Sequence, residues 1–180
     1  MERREFLKRA GLGSAVVVSA PIMAEALAEP AWADEGEREG EGTRFRCVVV
    51  SHSTSSSDLV AFNGNGKFST SSVSANGSFV HWTPVGSPPF PIVASGKWRA
   101  KEFLSFQSFG TYGSIEAGIL EMMINLLPTG SGKLSAKCRV VCNVGPGALS
   151  TGLEEGVTIE LPGLEFEPLS PALGLTVFVP

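Results

Sequence analysis

From Thr43 to the C-terminus, apolar and polar residues alternate in short runs, the period of a strand with one buried face. Phe45, Cys47 and Val49 alternate with Arg44, Arg46 and Val48 in the first run. A serine-rich stretch (Ser51 to Ser57) leads to Leu59–Phe62, and Asn63-Gly64-Asn65-Gly66 follows as a hairpin cue, because Asn and Gly tolerate positive φ. Phe68–Val73 is expected to pair with Phe79–Thr83 across Ala75-Asn76-Gly77. Four prolines between Pro84 and Pro91 interrupt regular pairing and suit a link across one end of the fold.

Further on, Lys97–Phe109 reads as a strand closed by a glycine turn at Gly110–Gly113. Ser114–Leu127 carries both periods: Ile115, Ile119, Met122, Met123 and Leu126 fit a helix face, and Leu120, Met122, Ile124 and Leu126 a strand face. Gly118 weakens a helix, and Pro128-Thr129-Gly130-Ser131-Gly132 returns straight into the alternating run Leu134–Val144, so a strand is expected. Three short runs follow: Val157-Ile159-Leu161, Leu164-Phe166 and Leu175-Val177-Val179. About eight or nine strands leave no room for crossover helices. The fold class is therefore all-β, a single antiparallel barrel or sandwich, either of which protects strand edges.

Charge divides the chain. Residues 29–42 hold Asp34, Glu35, Glu37, Glu39 and Glu41 against Arg38 and few apolar groups, the composition of a solvated leader. From residue 43 onward, nine acidic residues face nine basic ones, so the net charge of −4 arises mainly in the leader. A neutral domain has no overall field to draw in nucleic acid or an anionic membrane. Neither is expected as a partner.

The first 28 residues are of another kind. Glu2-Arg3-Arg4-Glu5-Phe6-Leu7-Lys8 precedes an apolar run, Ala10–Ala24, shorter than the roughly 20 residues of a spanning helix. Ala26-Leu27-Ala28 and Ala31-Trp32-Ala33 both offer small-x-small cleavage patterns. The segment resembles a twin-arginine translocation (Tat) signal, carried by Arg3, Arg4, Phe6 and Lys8, with Glu2 where a hydroxyl residue is usual. The resemblance implies passage of an already folded protein through the Tat translocase, to the periplasm, the cell surface or the medium. No cysteine lies near the cleavage sites, so no lipid anchor is expected. The expected layout is a signal over 1–28, a leader over 29–42 and one all-β domain over 43–180.

An oxidising destination bears on Cys47, Cys138 and Cys142. Four residues of strand separate Cys138 from Cys142 by about 13 Å, beyond the roughly 7 Å between Cα atoms that a disulfide allows. Cys47 could bridge to Cys138 or Cys142, leaving one thiol over. Three buried thiols, or a metal site joining them to His52 or His81, are the alternatives. Structural zinc sites place cysteine pairs on turns rather than along a strand, so no metal or other cofactor is expected.

Candidate chemistry is sparse. The domain has two histidines, His52 and His81, and a single aspartate, Asp58; the serines around Ser53 and Ser55 are too many to specify a triad, and no Gly-x-Ser-x-Gly elbow occurs. Arg44/Arg46, Lys97/Arg99/Lys101 and Lys137/Arg139 recur at two-residue spacing, so each set points one way. An outward face paired with Glu121, Glu160 or Glu116 is expected, since burying unpaired cations costs several kcal/mol each. Trp82, Phe90 and Trp98 lie close to the proline-rich link and could line an open barrel end for an apolar small molecule. The leading expectation is a small-ligand-binding or structural module. The alternative is a small barrel enzyme of cyclase or isomerase type, with His81 and Glu116 (or Glu102) as acid and base. Eight-stranded cyclase and dirigent-type barrels are comparable at the level of fold alone.

Overall fold

The computed structural model describes residues 42–145, 147 and 151–180. The Tat-like signal and nearly all of the leader lie outside these residues. Eight strands follow one another: β1 (Thr43–Ser53), β2 (Leu59–Phe68), β3 (Val73–Trp82), β4 (Ile92–Tyr112), β5 (Ile115–Pro128), β6 (Leu134–Cys142), β7 (Gly156–Leu161) and β8 (Leu164–Val179). Each pairs antiparallel with the next, and β8 returns to β1, closing a barrel. Of the two architectures the alternation allowed, the barrel is the one adopted. Ser114–Leu127 joins it as strand, starting after a tight turn in which Gly113 sits at φ 61°.

The barrel is filled. On β1 the inward row is Phe45, Cys47, Val49, Ser51 and Ser53, and on β5 it is Leu120, Met122, Ile124 and Leu126; Trp98 from β4 and Phe62 from β2 meet at the centre. Their rings stack at 4.8 Å, 15° from parallel, and the Trp98 indole donates through Nε1 to the Asn63 carbonyl at 2.7 Å. Buried hydroxyls are satisfied: Ser51 donates to the Val157 carbonyl at 2.6 Å and Thr176 to that of Val141. An interior packed with apolar side chains is the opposite of the polar interior of a membrane-spanning barrel. The lumen is the hydrophobic core.

Three sequence expectations are corrected. Asn63–Gly66 makes no turn but lies within β2, paired with Phe45–Val48 on one side and Ala75–Ser78 on the other. Its glycines serve space rather than φ: a Cβ on Gly64 would fall 2.1 Å from Cζ2 of Trp98 and one on Gly66 2.3 Å from Cβ of Ala75, while opposite Gly64 a Cβ on Gly77 would fall 2.5 Å from Nε1 of Trp98. The hairpin turn instead falls at Ser69–Ser72, closed by Ser69 N–H donating to the Ser72 carbonyl at 2.9 Å, which moves Ala75-Asn76-Gly77 into β3. The last two runs are one strand, β8, whose register against β1 jumps between Val50–Leu173 and Ser51–Pro168 and so expels the intervening residues as a bulge.

Wall closure is uneven. β3 pairs with β4 only from Asn76–Arg99 to Trp82–Ile92. Beyond Arg99, β4 runs on to Tyr112 against β5 alone among the described residues, with register shifts after Ala100, Phe103 and Ser108. Above Arg99 the wall between β3 and β4 therefore splays open.

Candidate functional site

The opening is a cleft of about 920 Å³ at the barrel end formed by the start of β1, the β2–β3 turn and the distal half of β4. Gly42, Thr43, Ser69 and Thr70 form one lip, and Ser105 lies on the other side. Phe68, Phe103 and Phe106 form the apolar surface between them. Phe68 lies 4.7 Å from Phe106 and 6.3 Å from Phe103, centroid to centroid. Beneath them Phe178, fully buried, meets Phe106 edge-on at 5.4 Å and Phe68 at 5.8 Å, and Phe45 backs the group. Such pairs add about 0.5–1.5 kcal/mol each beyond their buried area, so the floor is rigid.

Local register places these rings. Phe103 is paired with Met122 and Phe106 with Leu120, both inward, because the bulge after Phe103 restores the phase that three-residue spacing would break. Glu116 is two residues before Gly118 and four before Leu120 on β5, so it shares their inward face and reaches the cleft as its one charged lining residue. Its register partners are Thr111 and, on β8, Phe178.

His81 is elsewhere. It pairs with Val60 and Ala94 at the opposite end of the barrel, so the expected His81–Glu116 acid-base couple does not assemble. Glu102 does not join either of them, because it pairs with outward-facing Met123. The partner of His81 is Asp58: Nε2 stands 3.2 Å from Oδ2, while Thr83 donates its hydroxyl to Oδ1 at 2.6 Å. The Thr83 hydrogen bond above all, with smaller contributions from His81 and Ser56, holds the Asp58 carboxyl below its ordinary range against the opposing effect of desolvation. Nε2 forms no aligned hydrogen bond, so its link to Asp58 is a close electrostatic contact. No serine hydroxyl hydrogen-bonds His81 among the described residues, and Ser53 is engaged instead with Ser55 at 3.3 Å. The ring packs edge-on against Phe166 at 5.2 Å.

Trp82, Phe90 and Trp98 do not gather round one opening. Trp98 is fully buried in the lumen. Trp82 is buried but stands outside the core cluster, at a register shift next to the proline-rich link, and Phe90 is half-buried within that link. Phe103 and Phe106, within the run read simply as a strand, lie at the surface of the cleft, because nothing in the sequence marks where β3 stops following β4.

The expected disulfide from Cys47 to Cys138 or Cys142 is not formed; all three are free, buried thiols. Cys47 is on β1 and Cys138 and Cys142 on β6, strands that are not neighbours in the barrel. Burial pushes the Cys47 thiol up to about 12 and that of Cys138 well above its usual value, the latter helped by Cys47 itself. Burial raises Cys142 as well. Thiolates, the reactive form, are suppressed at all three. Among the described residues no group of three His, Cys, Asp or Glu side chains could hold a metal ion.

No family model, no curated protein and no solved structure matches this chain.

Proposed function

We propose that the protein is an exported small-ligand-binding barrel, and that the cleft over Phe68, Phe103 and Phe106 is its binding site. The observation that carries this reading is the coincidence of a phenylalanine floor with a hydroxyl-rich lip and one inward carboxylate. Clefts of this size that set placed polar groups beside apolar side chains are a usual form of small-molecule sites. The matching ligand has a flat apolar or aromatic body and a hydroxyl or amine end. Glu116 favours neutral or cationic ligands over anionic ones. The cyclase or isomerase reading draws less support, since His81 and Glu116 are at opposite ends and the Asp58 contact is out of line.

Titration calorimetry with paired amphiphiles, identical in ring system but ending in an amine, a hydroxyl or a carboxylate, tests the proposal. Binding should follow the order amine, hydroxyl, carboxylate. Phe106→Ala should weaken it about tenfold or more, equivalent to the 1.4 kcal/mol of a tenfold change in affinity. Binding that Phe106→Ala and Glu116→Gln leave unchanged would remove the cleft as the site.

Export by the Tat route is proposed on Arg3, Arg4, Phe6 and Lys8 together with the two small-residue cleavage patterns. Replacing Arg3 and Arg4 with lysines should retain the full-length precursor inside the cell on fractionation, and continued processing would reject the route.

A further inference from the structure

The neutrality of the domain conceals a segregation of charge between its two halves. Strands β1–β4 carry six cations, Arg44, Arg46, Lys67, Lys97, Arg99 and Lys101, against one carboxylate, Glu102, a balance of +5. Strands β5–β8 carry Lys137 and Arg139 against Glu116, Glu121, Glu160, Glu165 and Glu167, a balance of −3. The expected pairing of outward cations with Glu121 and Glu160 holds for Lys137 and Arg139 alone: Lys137 reaches Glu121 at 2.8 Å, and Arg139 reaches Glu121 at 3.3 Å and Glu160 at 3.6 Å. Arg44, Arg46, Lys97, Arg99 and Lys101 have no acidic group within ion-pair distance among the described residues.

Register shows how these cations are laid out. Arg46, Asn65, Asn76, Arg99 and Asn125 form one continuous outward row across five strands. Arg44, Lys67 and Ser74 form the row on one side of it, and Asn63, Ser78 and Lys97 belong to the row on the other. Three strand steps separate Arg46 from Arg99, about 14 Å, and Lys97 and Arg99 are about 7 Å apart along β4. Amide and hydroxyl side chains fill the positions between the charges.

We infer that this outer face of β1–β4 is a docking surface for an acidic polysaccharide, a hydroxyl-rich chain bearing carboxylate or sulfate groups. Arginine forks take the anionic groups in bidentate fashion, and the intervening Asn and Ser exchange hydrogen bonds with sugar hydroxyls. Charge complementarity alone would equally admit nucleic acid or lipid. The three rows, however, hold no aromatic side chain on which a single-stranded base could stack. A smooth barrel wall also projects neither a helix nor a ribbon into a duplex groove. Exposed apolar side chains, Leu175 and Val179 on β8 and Leu127 on β5, border the cation rows, while the positions between the cations are amide and hydroxyl, which suits a hydroxyl-rich chain better than a bilayer. This surface is separate from the phenylalanine cleft, so it stands or falls independently of that reading.

Heparin is the probe. The full chain should be retained on immobilised heparin at 0.15 M NaCl and should elute at higher salt than from a sulfonate cation exchanger. Arg46→Ala combined with Arg99→Ala should weaken heparin binding about tenfold and lower the slope of log affinity against log salt by about two. Lys133→Ala, on the exposed β5–β6 turn, should match the parent, with circular dichroism confirming that both variants are folded. Flow-through at 0.15 M, equal retention on the two resins, or identical binding by the double variant and Lys133→Ala would overturn the inference. So would equal or tighter binding of duplex DNA, poly-dT or phosphatidylglycerol vesicles.

Discussion

Gly64 and Gly77 face each other on β2 and β3, and the Trp98 indole occupies the volume their side chains would have taken. A methyl group at position 64 would also meet the Asn76 carbonyl at 2.8 Å, so neither the ring nor the backbone can yield cheaply. Gly64→Ala should therefore cost about 1–3 kcal/mol by overpacking. Trp98→Phe should destabilise by itself, but combined with Gly64→Ala it should cost less than the sum, since the smaller ring vacates part of the clash. Urea unfolding of the two single variants and the double variant checks the coupling, and strict additivity would mean that the glycines are there for some other reason. The same residues explain a misreading of the sequence. Asn-Gly-Asn-Gly is a turn signal only when its glycines are needed for φ, and here Gly64 is needed for the indole 34 residues further along the chain and Gly66 for the close approach of Ala75 on β3, dependences that local pattern cannot reveal.

At the level of the element, β5 and β6 are joined by their outward charges as well as by their ladder. Glu121 on β5 accepts from Lys137 and Arg139 on β6 and from the Ser105 hydroxyl on β4 at 3.2 Å. The Lys137 hydrogen bond and charge, with hydrogen bonds from Arg139 and Ser105, hold the Glu121 carboxyl below its ordinary value of 4.5, against partial desolvation. A depressed carboxyl adds stability at pH values above the unfolded value and loses it as pH falls below about 4.5. Glu121→Gln should cost no more than about 1 kcal/mol at pH 7, because the group is partly exposed. Its deficit relative to the parent should shrink on acidification to pH 3.5 in parallel urea melts, whereas a constant deficit would place the effect in packing. Strand phase made this cluster legible beforehand, since residues two apart share a face. The cleft was not legible, because it depends on where one long strand outruns its shorter neighbour and on two bulges, after Ala100 and after Phe103, that set the phase of Phe103 and Phe106.

For the whole molecule, alternation identified an all-β fold and left barrel and sandwich open, and closure was decided by the β1–β8 pairing, the contact most distant in sequence. The lumen took up Trp98 alone of the three aromatic residues that had suggested a pocket, Trp82 and Phe90 staying by the proline-rich link, and the opening formed where the wall parts. Total charge concealed the division of the surface into a basic and an acidic half, which emerges only when strands are placed side by side. Among the described residues β4 beyond Arg99 has a strand partner on one side only, which has a consequence for life in a crowded compartment. A long straight margin of this kind would template the addition of strands from other molecules, the first step toward fibrils. Repeated bulging and the neighbouring charges of Lys101 and Glu102 deny an incoming strand a regular partner, so the barrel can keep its cleft open without inviting its own aggregation.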